Sequence, residues 1–240
     1  MENVQRETGS EKPENLGEKL RIVLLCSEWG SSKGGLPTFN RQLAIYLGKR
    51  SDLQVFCYLP EVSDRDKNAA KERNVILVEA EDIPGNRDPL VKLLRWPSQR
   101  PSPDVIISHG QRFGPAAFFI KDRNPSCKWV HFVHVNYEEM GKYKVGNNEI
   151  RTNNQKDLDE MSCCKSADVV VAVGPQLLDR YSRRLSIEQK KVQVFYPGLS
   201  KEFQNLPQKE FDSREFHVYI FCRCSSEDFE LKGVDLVADA

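Results

Sequence analysis

The residues best suited to chemistry are two adjacent glycines, Gly34 and Gly35, which separate an apolar run from a helical pattern that opens near Pro37. A helix start presents free backbone N–H groups and the positive end of the helix dipole, and glycines leave the main chain open to an anionic or hydroxyl-rich ligand. A tight strand-to-helix turn with a positive φ explains the pair equally well. The sequence matches neither GxGxxG nor Walker A, since Leu36 and Pro37 stand where Walker A needs Lys and Ser or Thr.

Histidines near the ends of predicted strands are the next candidates. In the segment KWVHFVHVN, strand alternation places His131 and His134 on opposite faces, so the two are not expected to share a metal ion. His134 lies nearer the carboxyl end of its strand, where open parallel sheets bind ligands, and it is the favoured candidate. A hydrogen-bonded core histidine is the alternative for each. His109 and Gly110 end another predicted strand, where they could face a ligand or cap a loop.

Acidic residues give weaker signals. Asp64 and Asp66 superficially match a DxD metal site, but they lie in a charged stretch that favours a helix start or a turn. Glu138 and Glu139 precede GKYKVGNN, which predicts a surface loop, with a flexible loop over a ligand cleft as the alternative. We therefore predict no metal site.

The elements that must position these residues alternate along the chain. Short β-branched runs such as LQVFCYL, NVILVE, DVIISHG and DVVVAVG are separated by longer amphipathic segments. Continuous apolar strands between helical patterns are typical of a mostly parallel sheet that is covered on both faces. The sequence predicts an α/β fold with a doubly wound, mostly parallel, Rossmann-like sheet.

The chain also divides into regions of different composition. Residues 1–20 are polar and predict a disordered leader. A first domain is expected over residues 21–203, and a polar interdomain linker over 204–215. The strand-like run FHVYIFCRC then begins a second, truncated Rossmann-like domain over 216–240, which contains too little apolar sequence to fold by itself.

Overall composition excludes several classes of protein. Lys plus Arg and Asp plus Glu both number 35, so no net field attracts nucleic acid. The apolar runs are far shorter than the ~20 residues that span a bilayer. The seven cysteines lack CxxC spacing and predict reduced, buried thiols. These features predict a cytoplasmic protein with no nucleic-acid partner and no transmembrane segment.

Seven fragments, taken in order, carry a family resemblance. They are SKGGLPTFNRQLAIYL, DLQVFCYLP, PDVIISHGQRFGPAAFFI, WVHFVHVN, SADVVVAVGPQLLDRY, KVQVFYPGLSKEF and FCRCSSEDFELKGVDLVADA. Together they resemble the GT-B fold glycosyltransferases of family 4, a retaining group, over residues 21–240. The resemblance implies a GT-B N-terminal domain on the acceptor side and the beginning of a nucleotide-sugar donor domain.

The resemblance also implies a donor site. Gly34 and Gly35 would line the cleft against the donor phosphates and sugar. Arg223 and Lys232 would bind the diphosphate and stabilise the charge that develops on it, without a metal ion or another cofactor. Cys222 stands where the family has a glycine, a departure from its pattern.

On the acceptor side, the resemblance assigns three further residues. His134 matches a histidine near the transferred sugar and is the catalytic candidate. His109 matches a common family position and, together with Gly110, is expected on the acceptor side, with a role in capping the loop as the alternative. Pro197 stands where the family usually has an asparagine, so a side-chain amide is absent at that position.

The resulting hypothesis is a protein that transfers a hexose from a nucleotide diphosphate sugar to an acceptor with retention, with a partner domain completing the cleft. The rival hypothesis is a non-catalytic module that binds a nucleotide-sugar or a glycan within a larger signalling protein. A third, weaker hypothesis is a flavodoxin-like or NAD-binding domain, which the missing glycine fingerprint disfavours.

Overall fold

The computed structural model describes residues 18–30, 32, 34–142, 147–186, 192–198, 233, 234 and 236. Arg223, Lys232 and Cys222 lie outside the described residues, as does the predicted linker over 204–215. Most of the predicted leader and of the predicted second domain lies outside them too. The architecture below is therefore that of the first predicted domain.

Seven parallel strands form one sheet in the order β3-β2-β1-β4-β5-β6-β7. The strands are β1 (Leu20–Leu25), β2 (Leu53–Leu59), β3 (Val75–Glu79), β4 (Val105–His109), β5 (Lys128–Val133), β6 (Val169–Val173) and β7 (Val192–Phe195). The helices are α1 (Gly35–Leu47), α2 (Asp64–Lys71), α3 (Gly110–Asp122), α4 (Tyr137–Lys142), α5 (Asn147–Ser166) and α6 (Pro175–Arg184), with a short 3-10 helix at Val91–Leu94. The predicted doubly wound, mostly parallel α/β sheet is confirmed.

Two apolar layers hold the helices against the sheet. One face of the sheet packs on α3, α5 and α6 through a core that includes Trp129, Phe113 and Tyr181. The other face packs on α1 and α2 through a core that includes Leu24 and Phe132. Burial on both faces explains why the central strands read as continuous apolar runs and not as alternating ones.

The order of the strands reverses beside β1. The chain proceeds from β1 outward to β2 and β3, then returns to place β4 on the other side of β1. In open parallel sheets such a reversal opens a crevice at the carboxyl ends of the two central strands, where ligands bind. Here the segment after β1 leads to Gly34 and α1, and β4 ends at His109, directly before α3.

Several local predictions can be compared with the structure. Pro37 lies in the first turn of α1, and Asp64 begins α2 behind Ser63, whose hydroxyl accepts the Asp66 N–H; both predictions are confirmed. The cysteines at 26, 57, 127, 163 and 164 are free and buried, as predicted. Among the described residues, no helix is both long and apolar enough to span a membrane.

The preferred prediction of an ordinary loop at Glu138 and Glu139 is wrong, because both residues lie in the first turn of α4. The Asn136 side chain accepts the N–H of Glu139, as a helix N-cap does. The two carboxylates then lie near the positive end of the helix dipole. The local signal was Asn136, three residues before an acidic residue.

Candidate functional site

The start of α1 is open at the sheet's carboxyl edge. Gly34 is the N-cap, with φ 117° and ψ −162°, and no side chain of the described residues hydrogen-bonds to cap the helix. A Cβ atom added at Gly34 or Gly35 would meet no described atom within 4 Å. The positive φ explains the glycine at 34 on conformational grounds alone. Gly35 is helical, and none of the described residues lies close enough to require a glycine there.

His109 and His134 meet at the same edge of the sheet. Nδ1 of His109, the last residue of β4, lies 3.0 Å from Nε2 of His134, which directly follows β5. Nε2 of His109 lies 2.7 Å from the side-chain oxygen of Asn40 in α1. His109 and Asn40 are buried, whereas His134 is half-buried. A hydrogen-bonded chain thus runs from the interior of α1 to the partly open imidazole of His134.

Aromatic rings surround this chain. Phe39 of α1 makes edge-to-face contacts with His109 and His134, with ring centroids 5.6 and 5.0 Å apart. Phe132 stacks on His134, with the two ring planes 23° apart. Phe195, at the end of β7, packs edge-on against Phe39. These rings fix the orientation of both imidazoles and exclude water from one side of them.

Both imidazoles are neutral at neutral pH. Burial is the main cause that lowers the pKa of His109 well below its usual range, with a further contribution from the neighbouring His134 and His131. Burial, and then His131, lowers the pKa of His134 to about 4. A neutral imidazole has one donor nitrogen and one acceptor nitrogen. His134 is therefore suited to orienting a hydroxyl group and not to neutralising a phosphate.

His131 belongs to a separate network on the other face of β5, which confirms that the two histidines point apart. Its Nδ1 lies 2.7 Å from the Ser108 hydroxyl, and its Nε2 lies 3.0 Å from a carboxylate oxygen of Glu160 in α5. The Trp129 indole donates to Ser108, and the Gln111 backbone N–H at the start of α3 donates to the other Glu160 oxygen. The core alternative therefore describes His131 correctly, and Glu160 caps α3.

Potential metal ligands occur together in this buried network. Among the described residues, His131, Glu160 and Cys164 form one group whose ligand atoms lie within 4.8 Å of one another. The hydrogen bonds between His131, Glu160 and Gln111 already account for the arrangement of the first two side chains. The expected absence of a metal ion from the reaction stays a prediction.

Two cavities lie away from the carboxyl edge near β1. One, of about 290 Å³, lies between α3 and α5 beside Phe118 and Cys163. The other, of about 480 Å³, lies at the opposite edge of the sheet, where β2 and β3 begin. Neither cavity is lined by Gly34, Gly35, His109 or His134.

Five of the predicted site residues therefore lie at the carboxyl ends of three neighbouring strands. They are Gly34, Gly35, His109, Gly110 and His134. Gly110 has φ 63°, and a Cβ atom added to it would lie 3.7 Å from a Glu160 carboxylate oxygen, beside the buried network. The roles of all five residues stay predictions, as do those of Arg223 and Lys232.

Sequence reasoning missed Asn40 and Glu160. The signal for Asn40 was present, because it is a polar residue at the helical spacing of the buried stripe of α1. Glu160 had no comparable signal, since α5 is strongly polar along its length and was not predicted as a helix. Both residues are about 1% exposed, and each is hydrogen-bonded to a histidine.

Comparisons with known proteins agree with this architecture. A UDP-glucosyltransferase from Polygonum tinctorium, in complex with 3,4-dichloroaniline and capable of glucosylating indoxyl, aligns at a TM-score of 0.50 and 9% identity, covering 81% of this chain and 55% of that one. Phytolacca americana apo UGT2 aligns at 0.48 and 11% identity, covering 76% and 53%. UGT71G1 of Medicago truncatula, complexed with UDP-glucose, aligns at 0.47 and 8% identity, covering 82% and 55%.

This chain therefore spans about half the length of these solved structures. Similarity at 9% identity shows that this chain shares a fold with the Polygonum tinctorium enzyme, but it shows nothing about the substrates of this chain. No curated protein matches the sequence. The model of family 4 glycosyltransferases in conflict systems matches residues 23–240, nearly the whole chain. The chain belongs to this family of glycosyltransferases.

Proposed function

We propose that this chain forms the acceptor-side half of a retaining glycosyltransferase, which transfers a hexose from a nucleotide diphosphate sugar to a hydroxyl acceptor. The observation that carries the proposal is the convergence of the open start of α1 and the neutral His134 at the switch point of the sheet. Family membership supplies the class of reaction. The topology supplies the position where a sugar and its phosphates would lie.

The chemistry follows from charge. In the proposed reaction the bond between the sugar carbon and the diphosphate oxygen breaks, and the acceptor oxygen bonds to that carbon from the same face. The acceptor proton passes to the departing phosphate oxygen. Free N–H groups at the start of α1 stabilise the developing negative charge, together with Arg223 and Lys232. His134, being neutral, orients a hydroxyl of the sugar or of the acceptor.

The exposure of this edge also supports a second domain that covers the ligand. Nucleotide and cofactor sites are concave and bury most of their ligand, whereas among the described residues Gly35 is exposed and His134 is only half-buried. The chain spans about half the length of the solved structures it resembles. We infer that a donor domain, to which residues 216–240 contribute, completes the cleft.

A non-catalytic module that binds the same nucleotide-sugar is the second candidate. Pro197 favours it, because this residue follows β7 at the carboxyl edge and offers no side-chain amide to a ligand. The two candidates share the binding site and differ only in turnover. Release of free sugar or nucleoside diphosphate from a bound donor distinguishes an enzyme from a binding module.

The first test is thermal unfolding of the purified chain with UDP-, GDP- and ADP-sugars. A ligand that binds only the folded state at one hundred times its Kd adds about 2.7 kcal/mol to the free energy of unfolding. We expect one donor class to raise Tm, and Gly35→Ala, Arg223→Ala and Lys232→Ala to abolish the rise. Gly30→Ala is the matched control, because a Cβ there also meets no described atom and Gly30 precedes the helix start. An equal rise in wild type and Gly35→Ala would contradict the placement of the donor.

A further inference from the structure

The hydrogen bonds that link Asn40, His109 and His134 have a fixed order of donors and acceptors, which the side-chain oxygen of Asn40 determines. The Asn40 side-chain oxygen lies 2.7 Å from Nε2 of His109, and a carbonyl oxygen only accepts. Nε2 of His109 must therefore carry a proton and donate it to Asn40. His109 is fully buried and its pKa lies well below the usual range, so the ring is neutral and Nδ1 carries no proton.

The same logic continues to His134. Nδ1 of His109 has a lone pair and lies 3.0 Å from Nε2 of His134, so His134 must donate through Nε2. The His134 ring is neutral too, because burial and His131 lower its pKa to about 4. Its Nδ1 is then the unprotonated nitrogen. Among the described residues, that nitrogen has no hydrogen-bond partner.

We propose that Asn40 is a positioning residue that selects, through His109, the tautomer in which His134 presents a bare Nδ1 to a hydroxyl group of the ligand. The side chain of Asn40 lies at a buried position of α1, where a polar group is costly unless it has a hydrogen-bond partner. Its contact with His109 accounts for an amide at this place. The tautomer assignment stands on the hydrogen-bond geometry together with the neutrality of the two buried rings, and only the identity of the ligand rests on the proposed function.

This tautomer restricts what His134 recognises. A bare imidazole nitrogen accepts from a hydroxyl and is repelled by the lone pairs of a phosphate or carbonyl oxygen. His134 therefore faces a sugar hydroxyl, of the donor or of the acceptor, while the diphosphate lies toward the start of α1. The opposite tautomer would present an N–H and would favour a phosphate oxygen at the same position.

Histidine-selective 15N NMR of the full chain tests the assignment. The chain has four histidines, at 109, 131, 134 and 217, so single substitutions at 109 and 134 assign their signals. At neutral pH in wild type, we expect both His109 and His134 to show a protonated Nε2 and an unprotonated Nδ1. A protonated Nδ1 on His134 in the wild-type protein overturns the proposal without any variant.

Asn40→Leu tests the role of the amide. Without an acceptor, a proton on Nε2 of His109 would be a buried donor with no partner, which is rarer in proteins than a buried lone pair with no partner. We expect His109 to move its proton to Nδ1, donate to His134, and so transfer the bare nitrogen of His134 to Nε2. The measurement is the reversal of both 15N tautomer signatures.

Thr38→Val is the matched control on α1, since its hydroxyl contacts the Gly34 carbonyl and neither histidine. We expect the wild-type tautomers to persist in it. Unchanged tautomers in a folded Asn40→Leu would refute the role of Asn40. If the tautomers reverse as expected but no UDP-, GDP- or ADP-sugar moves the His134 signals of wild type, the inference about Asn40 stands and the proposed function fails.

Discussion

Two histidines three residues apart, on opposite faces of one strand, belong to networks of different design. The His131 network ends in groups with one role each: the Trp129 indole can only donate, and the Glu160 carboxylate accepts a backbone N–H of α3. Its side chains are at most 1% exposed. The His134 network begins at a buried amide and ends at a half-buried ring, one nitrogen of which has no hydrogen-bond partner in the described part of the chain. We refer to them as the sealed network and the open network.

The difference extends to the helix starts. The carboxylate of Glu160 occupies the start of α3, so the positive end of that helix is already satisfied within the fold. The start of α1, after Gly34, receives no side-chain cap from the described residues. A polar group that is hydrogen-bonded within the fold contributes to stability. A polar group at the surface that lacks such a bond can bind a ligand. We therefore propose that the sealed network serves stability and that the open network serves function.

The largest effect is expected from His131→Leu. Breaking this buried pair leaves one carboxylate oxygen of Glu160 without its partner in the core, while the Gln111 N–H still binds the other, and it should cost about 3–5 kcal/mol. His134→Leu removes only a partner of the His109 lone pair and should cost about 1 kcal/mol. Urea unfolding followed by tryptophan fluorescence measures both. Equal losses of stability would remove the distinction between the two networks.

The pH dependence of stability sharpens the same comparison. The unfolded chain protonates His134 below its ordinary pKa of 6.5, whereas the folded chain protonates it only near pH 4. Protons thus bind the unfolded chain preferentially in this window, and the free energy of unfolding falls as pH decreases from 6.5 to 4. The shift corresponds to a loss of ~3 kcal/mol.

His134→Leu serves as the variant for this test, because it removes the titrating ring. We expect its stability, from urea unfolding at a series of pH values, to decrease less than that of wild type over the same window. His109, whose pKa is lowered in the same direction, keeps part of the dependence in both proteins. Parallel curves for wild type and variant would show that His134 titrates normally in the fold.

Alanine substitutions at Gly34 and Gly35 should distinguish a glycine that the backbone conformation requires from one that the fold does not require. Gly34→Ala forces an L side chain into φ 117° and should lose about 1–3 kcal/mol of stability. Gly35→Ala adds a methyl to a helical position with free space, so its stability should be unchanged or raised by about 0.5–1 kcal/mol. Thermal unfolding without ligand measures both changes. A large loss in Gly35→Ala would mean that the glycine serves the fold.

The smallest change in stability is expected at the exposed ion pair between Glu138 and Arg180, which we call the rim. Glu138 pairs with Arg180 across 2.7 Å, but its side chain is 61% exposed and Arg180 also binds Asp157. Glu138→Gln should therefore change the free energy of unfolding by less than ~0.5 kcal/mol. Urea unfolding beside His131→Leu gives the comparison. A loss of several kcal/mol would show that the rim is part of the stable core.

The sequence predicted the sheet, the start of α1 and the divergence of His131 and His134, because these follow from local periodicity and strand geometry. It did not predict α5, because most residues of this helix are polar. Its few buried residues become recognisable as one face only when they pack against α3. The contact between His109 and His134 joins residues 25 positions apart on neighbouring strands. Such a pairing depends on the register of β4 and β5, which no single segment encodes.

Histidine-selective NMR during titration with UDP-, GDP- and ADP-sugars tests the central assignment most directly. We predict that one of these donors moves the side-chain signals of His134, and through it those of His109, while the signals of His131 stay in place. Movement of His131 alone would contradict the assignment of function to the open network. Saturating concentrations of all three donor classes with no change at His134 would contradict the proposed donor site itself.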